Sequence, residues 1–262
     1  MENLRVSLIQ PDLVWENPKA NFAHLADLIS QQDQPDLIVL PEMFNTGFAM
    51  LPQNNYDTMS GDSIAWMKDQ AIKMKSVIVG SVIIKEKEEY YNRLIWMRPN
   101  GTYSCYDKKH LFTMGGEHKR FKAGADILIE EVKGWKVMPL ICYDLRFPVW
   151  SRNEYSGSEF KYDLLLYIAS WPNSRTFVWR QLLIARALEN QSYVIGVNRV
   201  GEDGNKLSYS GDSMLINARG EELAEYHPNQ EQAQTFSISR KELDTFRNKF
   251  MVAEDWDKFQ LL

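Results

Sequence analysis

Cys142 is the residue in this chain best placed to do chemistry. It closes the apolar run Val137-Met138-Pro139-Leu140-Ile141 and opens the polar turn Tyr143-Asp144-Leu145-Arg146-Phe147-Pro148. A hydrophobic strand that ends in a thiol at a sharp turn presents the sulfur at a sheet rim, beside backbone N–H groups that can lower its pKa and hold an oxyanion. The same local pattern also fits a buried core cysteine, because free cysteines are among the most buried side chains. Two further strand-like segments end in groups that would complement a nucleophile. Asp36-Leu37-Ile38-Val39-Leu40 runs into Pro41 and the carboxylate of Glu42, and Tyr103-Ser104-Cys105-Tyr106-Asp107 runs into the cationic cluster Lys108-Lys109-His110. The chain thus offers a base, a cation and a thiol, each at the end of a different expected strand.

The three segments together resemble the nitrilase superfamily of carbon–nitrogen hydrolases, whose Glu-Lys-Cys triad is laid out in this order. The matching positions are Glu42 in Leu40-Pro41-Glu42-Met43-Phe44, Lys108 in Tyr106-Asp107-Lys108-Lys109-His110-Leu111, and Cys142 in Ile141-Cys142-Tyr143-Asp144-Leu145-Arg146-Phe147-Pro148. The stretch from Gly115 to Gly124 is similar to the family segment that carries a second active-site glutamate, which places that role on Glu117. Ala169-Ser170-Trp171-Pro172, Val197-Asn198-Arg199-Val200-Gly201 and Tyr209-Ser210-Gly211-Asp212-Ser213 continue the resemblance over nearly the whole chain. Within the superfamily these motifs look most like the ω-amidase branch, which releases ammonia from the terminal amide of short dicarboxylic acid monoamides such as 2-oxoglutaramate. The resemblance implies an α/β fold, a four-layer α-β-β-α sandwich of two mixed sheets, and at least a homodimer joined through helices. A nitrilase or an N-carbamoyl amide hydrolase would share the triad. A thiol-based redox protein is a more distant reading, for which the chain lacks a Cys-x-x-Cys pair.

Amide hydrolysis must activate a nucleophile, stabilise a tetrahedral oxyanion and protonate a poor leaving amine. A free thiol is mostly protonated at neutral pH, so Glu42 is expected to take its proton. Lys108 is expected to stabilise the negative oxygen together with the backbone N–H of Tyr143. Glu117 would anchor Lys108 and orient substrate. Lys109 occupies a variable place of the motif, and regular strand alternation sends Cys105 to the face opposite Lys108, where it reads as core. His24, His110, His118 and His227 have no metal-ligand spacing, and neither a metal nor an organic cofactor is expected. His110 is expected to support the Lys108 loop by hydrogen bonding. For the substrate, Arg175 is the candidate clamp on a far carboxylate, since a guanidinium pairs with one bidentately. Trp171 and Phe44 are the candidate apolar walls, and Arg146 is expected to brace the nucleophile turn with Asp144.

The elements that must position these groups are legible in outline. At 262 residues, with 44% hydrophobic and 12% aromatic content, the chain can bury a large core, and it is read as a single domain over 1–262. A net charge of −5 gives no basic footprint for nucleic acid or for an anionic membrane. Two cysteines make no disulfide framework, and no apolar run is long enough to cross a bilayer, so a cytoplasmic location is expected. Leu4–Ile9 reads as a first strand, Asn17-Pro18 as a helix start, Asp62–Lys75 as a second helix and Val77–Ile84 as a strand. Lys85–Glu89 reads as a charged loop and Pro99-Asn100-Gly101 as a hairpin turn. Val137–Ile141, Leu164–Ala169 and Val194–Val197 look like strands buried on both faces. The tail, about 250–262, carries Trp256, Phe259, Leu261 and Leu262, and is expected to cover its own subunit or to reach a partner.

Overall fold

The computed structural model describes residues 2–224 and 226–260. Its first sheet has the strand order β13 (Gln232–Ile238), β1 (Leu4–Gln10), β2 (Leu37–Val39), β3 (Val77–Glu86), β4 (Glu89–Met97) and β5 (Tyr103–Asp107). Its second has the order β12 (Met214–Ile216), β9 (Tyr193–Val197), β8 (Leu164–Ile168), β7 (Trp135–Ile141) and β6 (Glu130–Val132). Both sheets are mixed. β1, β2 and β3 are parallel neighbours, as are β7, β8 and β9, while the outer pairings are antiparallel. The central strands β2, β8 and β9 are buried at every position, which is why they read as unbroken apolar runs. A small hairpin, β10 (Val200–Glu202) with β11 (Ser208–Ser210), stands apart from both sheets.

Helices α1 (Pro18–Ser30) and α3 (Asp62–Met74) cover the first sheet, with the short α2 (Pro52–Asn55) between them in sequence. α1 begins where the Asn17 side chain accepts the Ala20 N–H at 3.2 Å, and α3 stops at Lys75 in the left-handed region. Leu25 and Ile29 of α1 and Ile64, Met67 and Ala71 of α3 pack on Ile38, Ile78 and Ile95. The opposite face of that sheet, with Val6, Leu8, Val39, Val79, Leu94 and Trp96, joins the second sheet in one continuous core. That core continues to Trp179, Leu183 and Ala187 of α4 (Thr176–Asn190) and Leu243 of α5 (Arg240–Lys249). The result is the α-β-β-α sandwich that the resemblance implied.

Lys85–Glu89 is not a loop. β3 and β4 pair through Lys85↔Tyr90 and Glu86↔Glu89, and the chain reverses over Lys87-Glu88 with Lys87 at φ +56°. The hairpin projects past the core, so its tip is exposed on both faces and loses the alternation that marks a strand. The expected turn at Pro99-Asn100-Gly101 is present, with Gly101 at φ +81°. In the tail, Trp256 lies edge-on to Phe160 of its own chain, and Arg152 sits 4.4 Å from its ring centre. Leu261 and Leu262 lie outside the described residues.

Candidate active site

One rim of the sandwich gathers what the strand ends carry. β2 leads to Glu42 and β5 to Lys108 from the first sheet, while β7 leads to Cys142 and β8 to Ser170 from the second. Lys108 and Glu42 are fully shielded from solvent at their side chains, as is Glu117. The Lys108 ammonium donates to Glu42 Oε1 at 2.8 Å and to Glu117 at 2.9 and 3.1 Å. Glu117 also accepts the Phe112 N–H at 2.6 Å, which fastens the loop that carries it. Burial alone would push the ammonium towards neutrality, but the Glu117 and Glu42 carboxylates more than offset this and hold Lys108 above the usual lysine range. The same burial raises the Glu117 carboxyl, against the pull of Lys108. Removing one partner from such a buried cluster costs about 3–5 kcal/mol, so the three groups stand or fall together.

Cys142 has φ +45°, a left-handed conformation that a non-glycine residue adopts only where its surroundings impose it. It starts a 3-10 turn over Cys142–Arg146. Tyr143 is too early in that turn for its N–H to be taken by an i→i−3 bond, which leaves the group for an oxyanion. Burial first, and then the Glu42 carboxylate, push the Cys142 thiol well above the usual cysteine range, with Lys108 pulling the other way. The expectation that the rim would lower this pKa is therefore reversed. A dry site beside a carboxylate keeps the sulfur protonated until a base acts.

Asp144 holds the turn from beneath. Fully buried, it accepts from Ile141 N at 3.1 Å, Tyr106 Oη at 2.8 Å, and His110 N and Nδ1 at 2.9 and 2.8 Å. His110 thus makes the bonds expected of it, and they run to the nucleophile turn. Arg146 does not brace Asp144. Two residues along a 3-10 turn point about 240° apart, so Asp144 faces inward while Arg146 faces the cavity. Lys109 turns away from the site, its ammonium 5.0 Å from the Trp150 ring centre. Cys105 packs with the outer, helix-covered core.

The cavity lined by Cys142 and Lys108 measures about 50 Å³. By the measure in which a water needs roughly 10–15 Å³, this is space for only a few waters or a small substrate. Trp171 and Arg175 line it as expected, with the Trp171 indole N–H donating to Arg175 O at 2.9 Å. Asn198 fixes the Trp171 backbone by accepting its N–H at 2.8 Å and donating to its carbonyl at 3.0 Å. Phe44 is not a wall. After Glu42 the chain passes through Met43 at φ +48°, which turns Phe44 onto the helix-covered side, 5.5 Å from Trp66 and close over Gly80. Phe48 lines the cavity instead, with its ring 5.6 Å from the Lys108 ammonium.

Two contributors escaped the sequence reading. Asn92 donates to Glu42 Oε1 at 2.8 Å and lies 3.4 Å from Glu117 Oε1, bridging the two carboxylates. Its signal was available, since it continues the row of Leu94 and Trp96 and is the one polar residue on the inward face of that stretch of β4. The Ser170 backbone N–H donates to Glu42 Oε2 at 2.9 Å, a contact of the main chain that no side-chain pattern announces.

The sequence profile of the family described as carbon-nitrogen hydrolase matches residues 5–248. A protein of Yersinia enterocolitica named omega-amidase YafV is 42% identical over 262 residues, all of both chains. A 2-oxoglutaramate amidase of Bacillus subtilis is 32% identical over 84% of this chain and 85% of its own. Among solved structures, a CN-hydrolase superfamily protein from Xanthomonas campestris, determined with an arsenic adduct in its active site, superposes with a TM-score of 0.96. It is 40% identical over the full length of both chains.

Proposed function

The chain belongs to the carbon–nitrogen hydrolase family, and we propose that it is a thiol amidohydrolase releasing ammonia from the terminal amide of short dicarboxylic acid monoamides. 2-Oxoglutaramate, 2-oxosuccinamate and succinamate are substrates of this type. The observation that carries the reading is the solvent-free Glu42–Lys108–Glu117 cluster set against Cys142 in a cavity that also holds basic side chains. Similarity to the omega-amidase and the 2-oxoglutaramate amidase supports it.

In this reading Glu42 takes the proton of the Cys142 thiol as the sulfur attacks the amide carbon. The carbonyl oxygen becomes an oxyanion, held by the Lys108 ammonium and the Tyr143 N–H. An ammonium has three N–H groups, so Lys108 can hold both carboxylates and still donate one to the oxyanion. Glu42 then gives its proton to the departing nitrogen as the C–N bond breaks, leaving ammonia and a Cys142 thioester. Water, deprotonated by Glu42, attacks the thioester, the C–S bond breaks, and the acid and the thiol are regenerated. Glu117 and Asn92 keep Lys108 and Glu42 in place throughout. Arg175 is the proposed partner of the substrate's far carboxylate, and Trp171 forms an apolar wall.

A homodimer joined through helices is part of the proposal, supported by the outward apolar side chains Phe177 and Leu188 of α4, which are 76% and 51% exposed. So is a cytoplasmic location, supported by two unpaired cysteines. Among the described residues no helix is long and apolar enough to cross a membrane. The test is ammonia release measured over small amides, nitriles and carbamoyl compounds, with Cys142→Ala as control. Steady turnover of 2-oxoglutaramate or succinamate, and none of nitriles, is expected. Preferred turnover of a nitrile or a carbamoyl amine would move the chain to another branch.

A further inference from the structure

We propose that Tyr209 is a specificity-determining residue, the fixed wall that limits the length of the acyl chain entering the site. The proposal rests on the amidase reading and adds an upper limit to the amides that the site admits. Tyr209 lies on β11 of the small hairpin that stands apart from both sheets, and with Leu207 it brings that hairpin to the cavity lined by Cys142 and Lys108.

The ring is held at its tip and on its face. Asp203, itself buried, accepts the Tyr209 O–H at 2.9 Å and the N–H groups of Asn205 and Leu207 at 2.8 and 3.1 Å. The carboxylate that shapes the hairpin turn thus also pins the phenol. On the ring face, the Arg199 Cζ lies 4.8 Å from the ring centre. The Arg199 side chain is shielded from solvent, and its one ion-pair partner among the described residues, Asp12, is exposed and 3.7 Å away. A cation–aromatic contact strengthens when the cation is desolvated, so the ring is tied to a group that cannot turn out to water. The guanidinium is fixed in turn, donating to Leu13 O at 3.0 Å and to Val200 O at 3.1 Å.

Arg199 backs a second wall as well. A Cβ at Gly47 would lie 2.9 Å from Arg199 Nη1, and Gly47, at φ +70°, precedes Phe48, which lines the cavity beside Lys108. One buried cation therefore stands behind both aromatic walls. A ring fixed at two points cannot swing aside for a longer ligand, whereas the Leu207 side chain, 46% exposed, can. A space of about 50 Å³ leaves little slack to absorb the difference. A single methylene that a pocket does not seat changes kcat/KM by about 10- to 200-fold, so the limit falls sharply between one chain length and the next.

The experiment measures kcat/KM on succinamate, glutaramate and adipamate, monoamides that lengthen by one methylene at each step, for the parent protein and for Tyr209→Ala, Tyr209→Phe and Leu207→Ala. In the parent, adipamate is expected to fall about tenfold or more below glutaramate. Tyr209→Ala is expected to close or invert that gap. Tyr209→Phe keeps the ring and should leave the adipamate-to-glutaramate ratio nearly unchanged, as should Leu207→Ala. Thermal unfolding checks that each variant folds, and Tyr209→Leu, shorter than the native side chain yet apolar, serves for the same comparison if the alanine variant does not. Calorimetric titration of glutaramate and adipamate in a Cys142→Ala background reads the preference without turnover, and adding Tyr209→Ala should abolish it. Equal turnover of adipamate and glutaramate by the parent, or an equal loss on all three amides in Tyr209→Ala, would overturn the proposal. If the parent hydrolyses none of the amides, the amidase reading fails; a calorimetric preference that Tyr209→Ala removes then keeps the wall, and the absence of any preference overturns it too.

Discussion

In the proposed mechanism Cys142 carries the chemistry because its neighbours keep it protonated at rest and then relieve it of the proton. Burial and the Glu42 carboxylate raise the thiol, so little thiolate is present at neutral pH, each unit of increase costing about tenfold in thiolate. A diffusing reagent has no use for the catalytic base, and its rate follows the thiolate. Alkylation of the resting protein by iodoacetamide is therefore expected to be slow at pH 7 and to climb through and beyond the usual cysteine range. In Glu42→Gln a negative neighbour is lost while Lys108 remains, which favours the thiolate. The alkylation profile should move to lower pH by about one unit or more, on the scale of a close charge partner, while amide turnover collapses. A profile that stays in place would show that Glu42 does not act on the sulfur. Rate of alkylation against pH, read by mass, settles it.

The turn that Cys142 begins is held by one carboxylate reaching across two elements. Asp144 joins the end of β7, Tyr106 of β5 and the His110 backbone and ring, so it ties the sulfur's turn to the strand that delivers Lys108. Asparagine at this position would offer one acceptor where four donors converge, and would aim an amide N–H at some of them. Asp144→Asn is expected to lower kcat by about one to two orders of magnitude with a smaller change in KM, and to cost about 1–3 kcal/mol of stability, the price of buried donors left unmet. Steady-state kinetics and thermal unfolding check both parts, and a change confined to stability would make Asp144 a packing residue only. The strand ends that bear Glu42 and Cys142 are legible as a local pattern, an apolar run closed by a polar group, while Lys108 closes a short mixed strand with a cationic cluster and takes its role from the resemblance. The directions of Phe44 and Arg146 are not legible. Each follows a backbone reversal at a non-glycine residue, Met43 at φ +48° and Cys142 at φ +45°, which the residue types do not advertise. The Lys85–Glu89 hairpin was hidden for a different reason, since a tip beyond the core has no buried face to pattern it.

At the scale of the molecule, the site exists because two sheets share one core. Asn92 lies in β4 of the first sheet and Glu42 and Lys108 just past its strands, Cys142, Tyr143 and Ser170 lie just past strands of the second, and Ser170 N to Glu42 Oε2 is a direct stitch between them. Val79, Leu94 and Trp96 on one side, and the apolar runs of β7 and β8 on the other, lie in the continuous cluster that fixes this spacing. Apolar burial sets the frame, and a group misplaced by about 1 Å would cost on the order of 100-fold in rate. The layered arrangement was expected from the resemblance rather than from periodicity, because apolar runs buried on both faces look alike whichever sheet they join. The account's central claim is that this frame delivers Cys142 to an amide carbon and stores the acyl group as a thioester. Rapid acid quench during turnover of succinamate, followed by intact-mass analysis and peptide mapping, tests it most directly. An acyl adduct of the substrate's mass less ammonia is expected on Cys142 of the parent protein, and none on Cys142→Ala, which should also be inactive. Undiminished turnover by Cys142→Ala would contradict the claim.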